Sequence, residues 1–187
     1  MDCFVDIELR PDPEIAAHQL MGTLYSKVHL ALVTRSSADI AVCFPGQQSK
    51  PAALGNRLRL LGSQAALQAL LGADWLGGMR DHVRIVPMDV VPPDAQHRIV
   101  RRVQAKSSPE RLRRRLMKRH NLDAAQARER IPGSAAEFLH LPFVQLRSGS
   151  SGQTFRLFLS VGPAMPTATK GEFNAYGLSH TATVPWF

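Results

Sequence analysis

Seven histidines, His18, His29, His82, His97, His120, His140 and His180, are the side chains of this 187-residue chain best suited to move a proton near neutral pH. Their sequence surroundings narrow the chemistry open to them. The two cysteines, Cys3 and Cys43, make no metal-spaced or disulfide-like pattern, and no Cys/His cluster suggests zinc. No acids pair at a spacing that suggests joint acid-base work. His29 stands beside Val28 in a long amphipathic run, where an ordinary surface or half-buried histidine is the simpler reading. His120 closes a basic run, where a cation suits a helix C-terminus and can meet phosphate. Residues 148–153, Ser-Gly-Ser-Ser-Gly-Gln, offer hydroxyls and close backbone approach, as phosphate contacts need. An ordinary flexible turn explains that run equally well. Read this way, the chain is a nucleic-acid binder for which metal-free nuclease chemistry is open.

The binding half of that reading comes from charge. Residues 98–119 hold ten Lys or Arg against one acid, Glu110, a net of +9 in a chain whose total is +8. The rest of the chain is therefore close to neutral, and a cationic patch on one short element is the footprint of a polyanion binder. A solvated basic helix is the competing reading, but such a helix mixes acids among its bases, and none follows Glu110. Stepping residues at 100° places Arg111, Arg114, Arg115, Lys118 and Arg119 on one arc of about 140°. Leu112 and Leu116 form an adjacent apolar strip, and Arg113 points elsewhere. Such a face suits a phosphate-lined groove. A basic helix enters the wide major groove of B-DNA. The A-form RNA groove is narrower, a restriction expected to ease near the end or loop of a short hairpin. Composition does not choose between the two, and no complete helix-turn-helix signature supports a DNA regulator.

The elements that must position these residues follow from hydrophobic period. Val5, Ile7 and Leu9 alternate with acids and predict a half-buried strand. Ala17, Leu20, Met21, Leu24, Val28, Ala31 and Leu32 predict a long helix from Pro13 to Val33. Strands follow over 40–44 and 57–61. Ser63 caps a second helix, and Val83 and Ile85 mark a fourth strand. The order strand, helix, strand, strand, helix, strand is the ferredoxin-like βαββαβ pattern. The third strand lacks the aromatic signature of an RNA-recognition motif. Pro92-Pro93-Asp94 then divides an N-terminal domain, 1–94, from a smaller α+β domain, 95–187. In the second domain, residues 98–106 look extended. Ser108, Pro109 and Glu110 start the basic helix, about 108–120, and Asn121 stops it. Residues 123–130 form a short helix, and 143–147 with 155–159 form a hairpin. The expected class is α+β. The N-terminus lacks a signal-peptide pattern and no apolar run approaches a membrane span, so a soluble cytoplasmic protein is expected.

The run 107–120, Ser-Ser-Pro-Glu-Arg-Leu-Arg-Arg-Arg-Leu-Met-Lys-Arg-His, resembles the arginine-rich helix of the repeat-processing endoribonuclease of type I-F CRISPR systems, the Csy or Ypest subtype. The resemblance continues through Leu9-Arg10-Pro11-Asp12-Pro13-Glu14, Ser148 to Phe158, Tyr176-Gly177-Leu178-Ser179 and Val184-Pro185-Trp186-Phe187. A basic helix alone would be a weak signal; combined with the Ser/Gly hairpin and the Pro-Trp-Phe terminus it is a strong one. The resemblance implies an enzyme that binds the CRISPR repeat hairpin and cuts at the 3′ base of its stem. It implies no cofactor and no metal. The ribose 2′-OH attacks its own phosphodiester, leaving a 2′,3′-cyclic phosphate, and the mature guide RNA stays bound within the surveillance complex and its other subunits.

Carried over by position, the resemblance makes His29 the catalytic histidine, Ser148 the residue that holds the 2′-OH in line, and Tyr176 the residue that orients His29. It makes Phe155 the aromatic beneath the last base pair, and Arg102 and Gln104 readers of base edges. Arg114, Arg115, Lys118 and Arg119 would hold phosphates. Ser107, Arg111, His120 and Ser150 complete the expected RNA-binding set. Lys118 departs from the family's arginine; it keeps the charge and loses bidentate geometry. The alternative function is an RNA-hairpin binder that caps the guide without cutting it.

Overall fold

A computed structural model describes all residues except 37, 105–108, 133–138, 150 and 151. The expected sites Ser107 and Ser150, and the expected cap Ser108, lie outside the described residues. The chain divides into two compact units, Met1–Val103 with Leu141–Phe187, and Gln104–His140.

The first unit begins with β1 (Cys3–Leu9), α1 (Ala17–Arg35), β2 (Ala41–Cys43), β3 (Gln48–Ser49), β4 (Ala52–Ala53), β5 (Arg57–Gly62) and α2 (Gln64–Leu71). A 3-10 turn, Gly77–His82, leads into β6 (Val83–Ile85), β7 (Asp89–Val90), β8 (Gln96–Arg98) and β9 (Val100–Val103). Alternation explains β1: Cys3, Val5, Ile7 and Leu9 are buried, and the strand pairs antiparallel with both β5 and β6. The sheet order is β2-β5-β1-β6, all antiparallel, and both α1 and α2 pack on β1. Helix α1 buries Leu20, Met21, Leu24, Tyr25, Val28, Ala31 and Leu32, the three-four period of an amphipathic helix. It starts at Ala17, four residues after the predicted Pro13. The cause is local: Asp12 Oδ1 accepts the N–H groups of Glu14 and Ile15, both at 2.9 Å, so the chain turns before it coils. In α2, Ser63 caps as predicted, its hydroxyl accepting from the Ala66 N–H at 3.2 Å. The expected polar loop after β2 holds the small β3–β4 hairpin.

The second unit carries α3 (Pro109–His120) and α4 (Ala124–Arg130). Asn121, at φ 48°, takes the left-handed turn between them, and Asp123 and Gln126 form a capping box that starts α4.

The first unit resumes with β10 (Phe143–Arg147), β11 (Thr154–Val161) and β12 (Val184–Trp186). These make a second antiparallel sheet, β10-β11-β9, and a two-stranded pairing of β12 with β8. The terminal Phe187 is held on the first sheet by one arginine. Arg59 donates to both Asp6 oxygens, at 2.7 and 2.9 Å, and to the Phe187 carbonyl at 3.1 Å. Its guanidinium also lies over the Phe187 and Phe4 rings, 3.9 and 4.5 Å from their centroids. Asp6 and Arg59 are both about 95 % buried. Arg59→Ala leaves the buried Asp6 carboxylate only its longer, half-exposed contact to Arg57 at 3.6 Å, so it is expected to lower stability by about 3 kcal/mol. Urea unfolding should also show Arg59→Ala/Asp6→Ala losing less than the single change, because the stranded charge is gone.

Candidate active site

A single glycine lets α1 meet β10. A Cβ on Gly22 would stand 2.7 Å from the Gln145 carbonyl oxygen, so only glycine allows this approach. Seven residues further along the helix, about 10 Å, comes His29. Three residues on from Gln145, just past the end of β10 and again about 10 Å away, comes Ser148. The close approach thus carries both residues to one place. They line a cavity of about 360 Å³ together with Phe155 and Tyr176. Four residues scattered over 148 positions of sequence are gathered there. The rest of the lining is Ser26, Leu30, Val33, Leu146, Arg147 and Gly149, with no carboxylate among the lining residues.

His29 is half-buried and is held on two sides. Its ring stacks on that of Tyr176, with centroids 4.0 Å apart and planes 5° from parallel. Its Nδ1 lies 2.7 Å from the Ala175 carbonyl oxygen. A carbonyl only accepts, so Nδ1 carries a proton, and in the neutral ring that leaves the bare lone pair on Nε2. That is the form a general base needs.

The turn that holds His29 is itself tied to the first sheet and to α1. Its three successive carbonyls each accept one bond. Ala175 takes His29 Nδ1, Tyr176 takes the Tyr25 hydroxyl at 2.8 Å, and Gly177 takes the Val42 N–H at 2.8 Å. Burial pushes the Tyr25 hydroxyl well above the usual tyrosine range, so it stays a donor. Asn174 Oδ1 closes the turn by accepting from the Tyr176 N–H at 2.8 Å. Gly177 sits at φ 68°, and a Cβ there would lie 2.9 Å from the Val42 nitrogen. Both the backbone angle and the space require glycine. Tyr25 and His29 are four residues apart on α1, so one helix face carries the catalytic candidate and the anchor of its partner.

The remaining expected residues fall as follows. Ser148 opens the hairpin tip, where its N–H donates to the Gln153 carbonyl at 2.8 Å and its carbonyl accepts from Gly152 at 2.9 Å. Phe155, on β11, is half-buried. The Arg102 guanidinium from β9 lies 5.7 Å from its ring centroid. Arg102 Nε is buried with no hydrogen-bond partner among the described residues, a donor suited to a ligand acceptor. Gln104 is exposed and belongs to the second unit.

In that unit α3 presents Arg111, Arg114, Arg115, Lys118, Arg119 and His120 to solvent, while Leu112 and Leu116 are half-buried. The helix packs on α4, and Arg113 Nε donates to the Ile131 carbonyl at 2.8 Å. Among the described residues, none of Arg114, Arg115, Lys118 and Arg119 forms an ion pair.

Three contributors to the site are absent from the sequence reading: Gly22, Tyr25 and the Ala175 carbonyl. Gly22 had a signal, since an isolated glycine within a helical period marks close packing. A main-chain carbonyl has none.

Residues 4–187 match the family described as "CRISPR-associated protein (Cas_Csy4)". Two relatives carry the name "CRISPR-associated endonuclease Cas6/Csy4". That of Pseudomonas aeruginosa (strain UCBPP-PA14) is 52 % identical over 187 residues, covering 100 % of both chains. That of Escherichia coli (strain UTI89 / UPEC) is 44 % identical over 187 residues, again covering 100 % of both. A solved structure titled "An RAMP protein binding different RNA substrates" covers 98 % of this chain and 99 % of its own at 12 % identity, with a TM-score of 0.35. That overlay is too loose to establish a shared fold.

Proposed function

The chain belongs to the Cas_Csy4 family of CRISPR-associated proteins, and from that premise we propose that it is a metal-independent endoribonuclease of the type I-F subtype. It binds the repeat hairpin of CRISPR precursor RNA and cuts at the 3′ base of the stem. It then stays on the mature guide RNA with the other subunits of the surveillance complex, in the cytoplasm. The observation that carries the reading is the gathering of His29, Ser148, Phe155 and Tyr176 around one cavity.

The His29 tautomer supports a role as general base. Nε2 removes the proton of the ribose 2′-OH. The 2′-oxygen attacks the adjacent phosphorus, the P–O5′ bond breaks, and the leaving 5′-oxygen of the next nucleotide takes up a proton from water. The products are a 2′,3′-cyclic phosphate and a 5′-hydroxyl. Ser148 holds the 2′-OH in line, where geometry supplies much of the rate. Tyr176 keeps the imidazole in its plane, and Phe155 stacks beneath the last base pair. Arg102 and Gln104 read base edges, and the exposed face of α3 grips phosphates. The strand order β2-β5-β1-β6 with two helices packed on β1 supports a ferredoxin-like N-terminal domain over 1–94. The RNA-binding domain is 95–187.

The direct test is a hairpin whose scissile nucleotide carries 2′-hydrogen in place of 2′-hydroxyl. It is expected to bind as the all-ribose RNA does and to resist cutting altogether. Cutting of the 2′-deoxy hairpin would rule out attack by the ribose.

A further inference from the structure

Ser26 stands about one turn before His29 on α1, so the two share a helix face. It is half-buried and lines the cavity that holds His29 and Ser148. A serine inside a helix ordinarily folds its hydroxyl back onto the carbonyl four residues earlier or points it to open water. Thr23, on the same helix, does the first: its Oγ1 donates to the Gln19 carbonyl at 3.1 Å. Ser26 forms no such bond to the Gly22 carbonyl, and no hydrogen bond to any other group among the described residues. A half-buried hydroxyl without a protein partner, in the wall of a cavity, is a donor left for a ligand.

The other polar side chains of the lining are engaged. Ser148 is assigned to the 2′-hydroxyl and Tyr176 to the His29 ring. Arg147 is tied to the hairpin tip, its Nε donating to the Gly152 carbonyl at 3.1 Å. Leu30, Val33 and Leu146 are apolar. The group still unserved is the scissile phosphate, whose non-bridging oxygens are a place for donors to act as the 2′-oxygen closes on phosphorus. Residues three apart on a helix have Cβ atoms about 5–6 Å apart. The 2′-oxygen and the phosphorus are close neighbours on one nucleotide. A base at the first therefore brings the phosphate within reach of the residue one turn away. A serine hydroxyl suits the place, because it rotates to meet an acceptor and keeps its proton at neutral pH.

We propose that the Ser26 hydroxyl donates a hydrogen bond to a non-bridging oxygen of the scissile phosphate and stabilises it during attack. The proposal rests on the reading that RNA is cut beside His29. Ser26 transfers no proton, and His29 remains the base.

The test pairs Ser26→Ala with hairpins that carry sulfur in place of one non-bridging oxygen at the cut, each diastereomer taken separately. Sulfur is a weak acceptor, and alanine is the better helix former, so the substitution keeps α1 intact. On the all-oxygen hairpin Ser26→Ala is expected to lower the single-turnover rate about tenfold, less than for an enclosed oxyanion donor because this serine is only half-buried. Affinity and the pH dependence of the rate should not move, since the hydroxyl does not titrate in that range. One sulfur diastereomer should slow the native chain more than it slows Ser26→Ala, because in the variant the bond it weakens is already gone. A native rate for Ser26→Ala overturns the proposal. So do equal sulfur effects in the two chains with both diastereomers, the result expected of a serine that only packs. Failure of the native chain to cut the all-oxygen hairpin would instead sink the function from which the proposal starts.

Discussion

His29→Ala binds the repeat hairpin as tightly as the native chain and cuts it about 10²–10⁴-fold more slowly, the usual loss when a general base is removed. The expectation follows from the two interactions that fix the ring. The Ala175 carbonyl at 2.7 Å assigns the proton to Nδ1, and the Tyr176 face at 4.0 Å holds the plane. Nothing in that arrangement grips RNA through charge, so binding is spared. His29 is only half-buried on an otherwise well-packed helix, so its truncation leaves the fold standing. Tyr176 separates position from identity. Tyr176→Phe keeps the stacking ring and should retain most activity. Tyr176→Ala removes the support and should lower the single-turnover rate without changing affinity. A His29→Ala chain that lost binding in proportion to cleavage would show that the histidine holds the RNA and does not act on it.

Replacing Arg114, Arg115, Lys118 and Arg119 together by alanine has the opposite signature. Hairpin affinity falls roughly 10³-fold, reckoned from charge-assisted hydrogen bonds of about 1.5 kcal/mol at the low end and discounted for their exposure. The slope of log K against log salt falls in magnitude by about three, close to 0.7–0.9 for each phosphate no longer neutralised. The physical reason is that these four cations face solvent with no ion pair among the described residues, which leaves them open to the phosphates proposed to bind there. With enough protein to saturate the RNA, cleavage should proceed near the native rate, because the proposed proton transfer is at His29 and not on α3. Arg113 serves as the control on the same helix. Its Nε is committed to the Ile131 carbonyl, so Arg113→Ala should loosen the α3–α4 pair and leave the salt slope almost unchanged. Salt titrations of binding, with thermal melts alongside, distinguish the two effects.

How much of this was legible in the sequence depends on the range of the interaction. Local rules worked well. The buried face of α1, the Ser63 cap, the β10–β11 hairpin and the polar face of α3 all follow from period and capping chemistry. Where a local side chain competed, the boundary moved: Asp12 delays α1 by four residues by taking the N–H groups that would have begun it. The site itself was not legible from pattern. By pattern, His29 was an ordinary histidine and Ser148 a turn serine, and only a resemblance to a known family singled them out. Their meeting depends on Gly22 admitting β10 against α1, and on a turn whose carbonyls at 175, 176 and 177 lock onto distant donors. Backbone acceptors carry no residue identity, so no periodicity or motif can announce them. The charge of α3 was the reverse case. It was plain from composition, but it names a class of partner and says nothing of the chemistry done to it.

The proposed reaction is base-assisted attack of the ribose 2′-hydroxyl on RNA, with His29 as the base. The measurement that meets it most directly is single-turnover cleavage of the cognate repeat hairpin in excess EDTA, followed by analysis of both product ends. The expected result is undiminished cutting, a 2′,3′-cyclic phosphate on the upstream fragment and a 5′-hydroxyl on the downstream one. Cutting that stops in EDTA and returns with divalent metal, or a downstream fragment that bears 5′-phosphate, would contradict it.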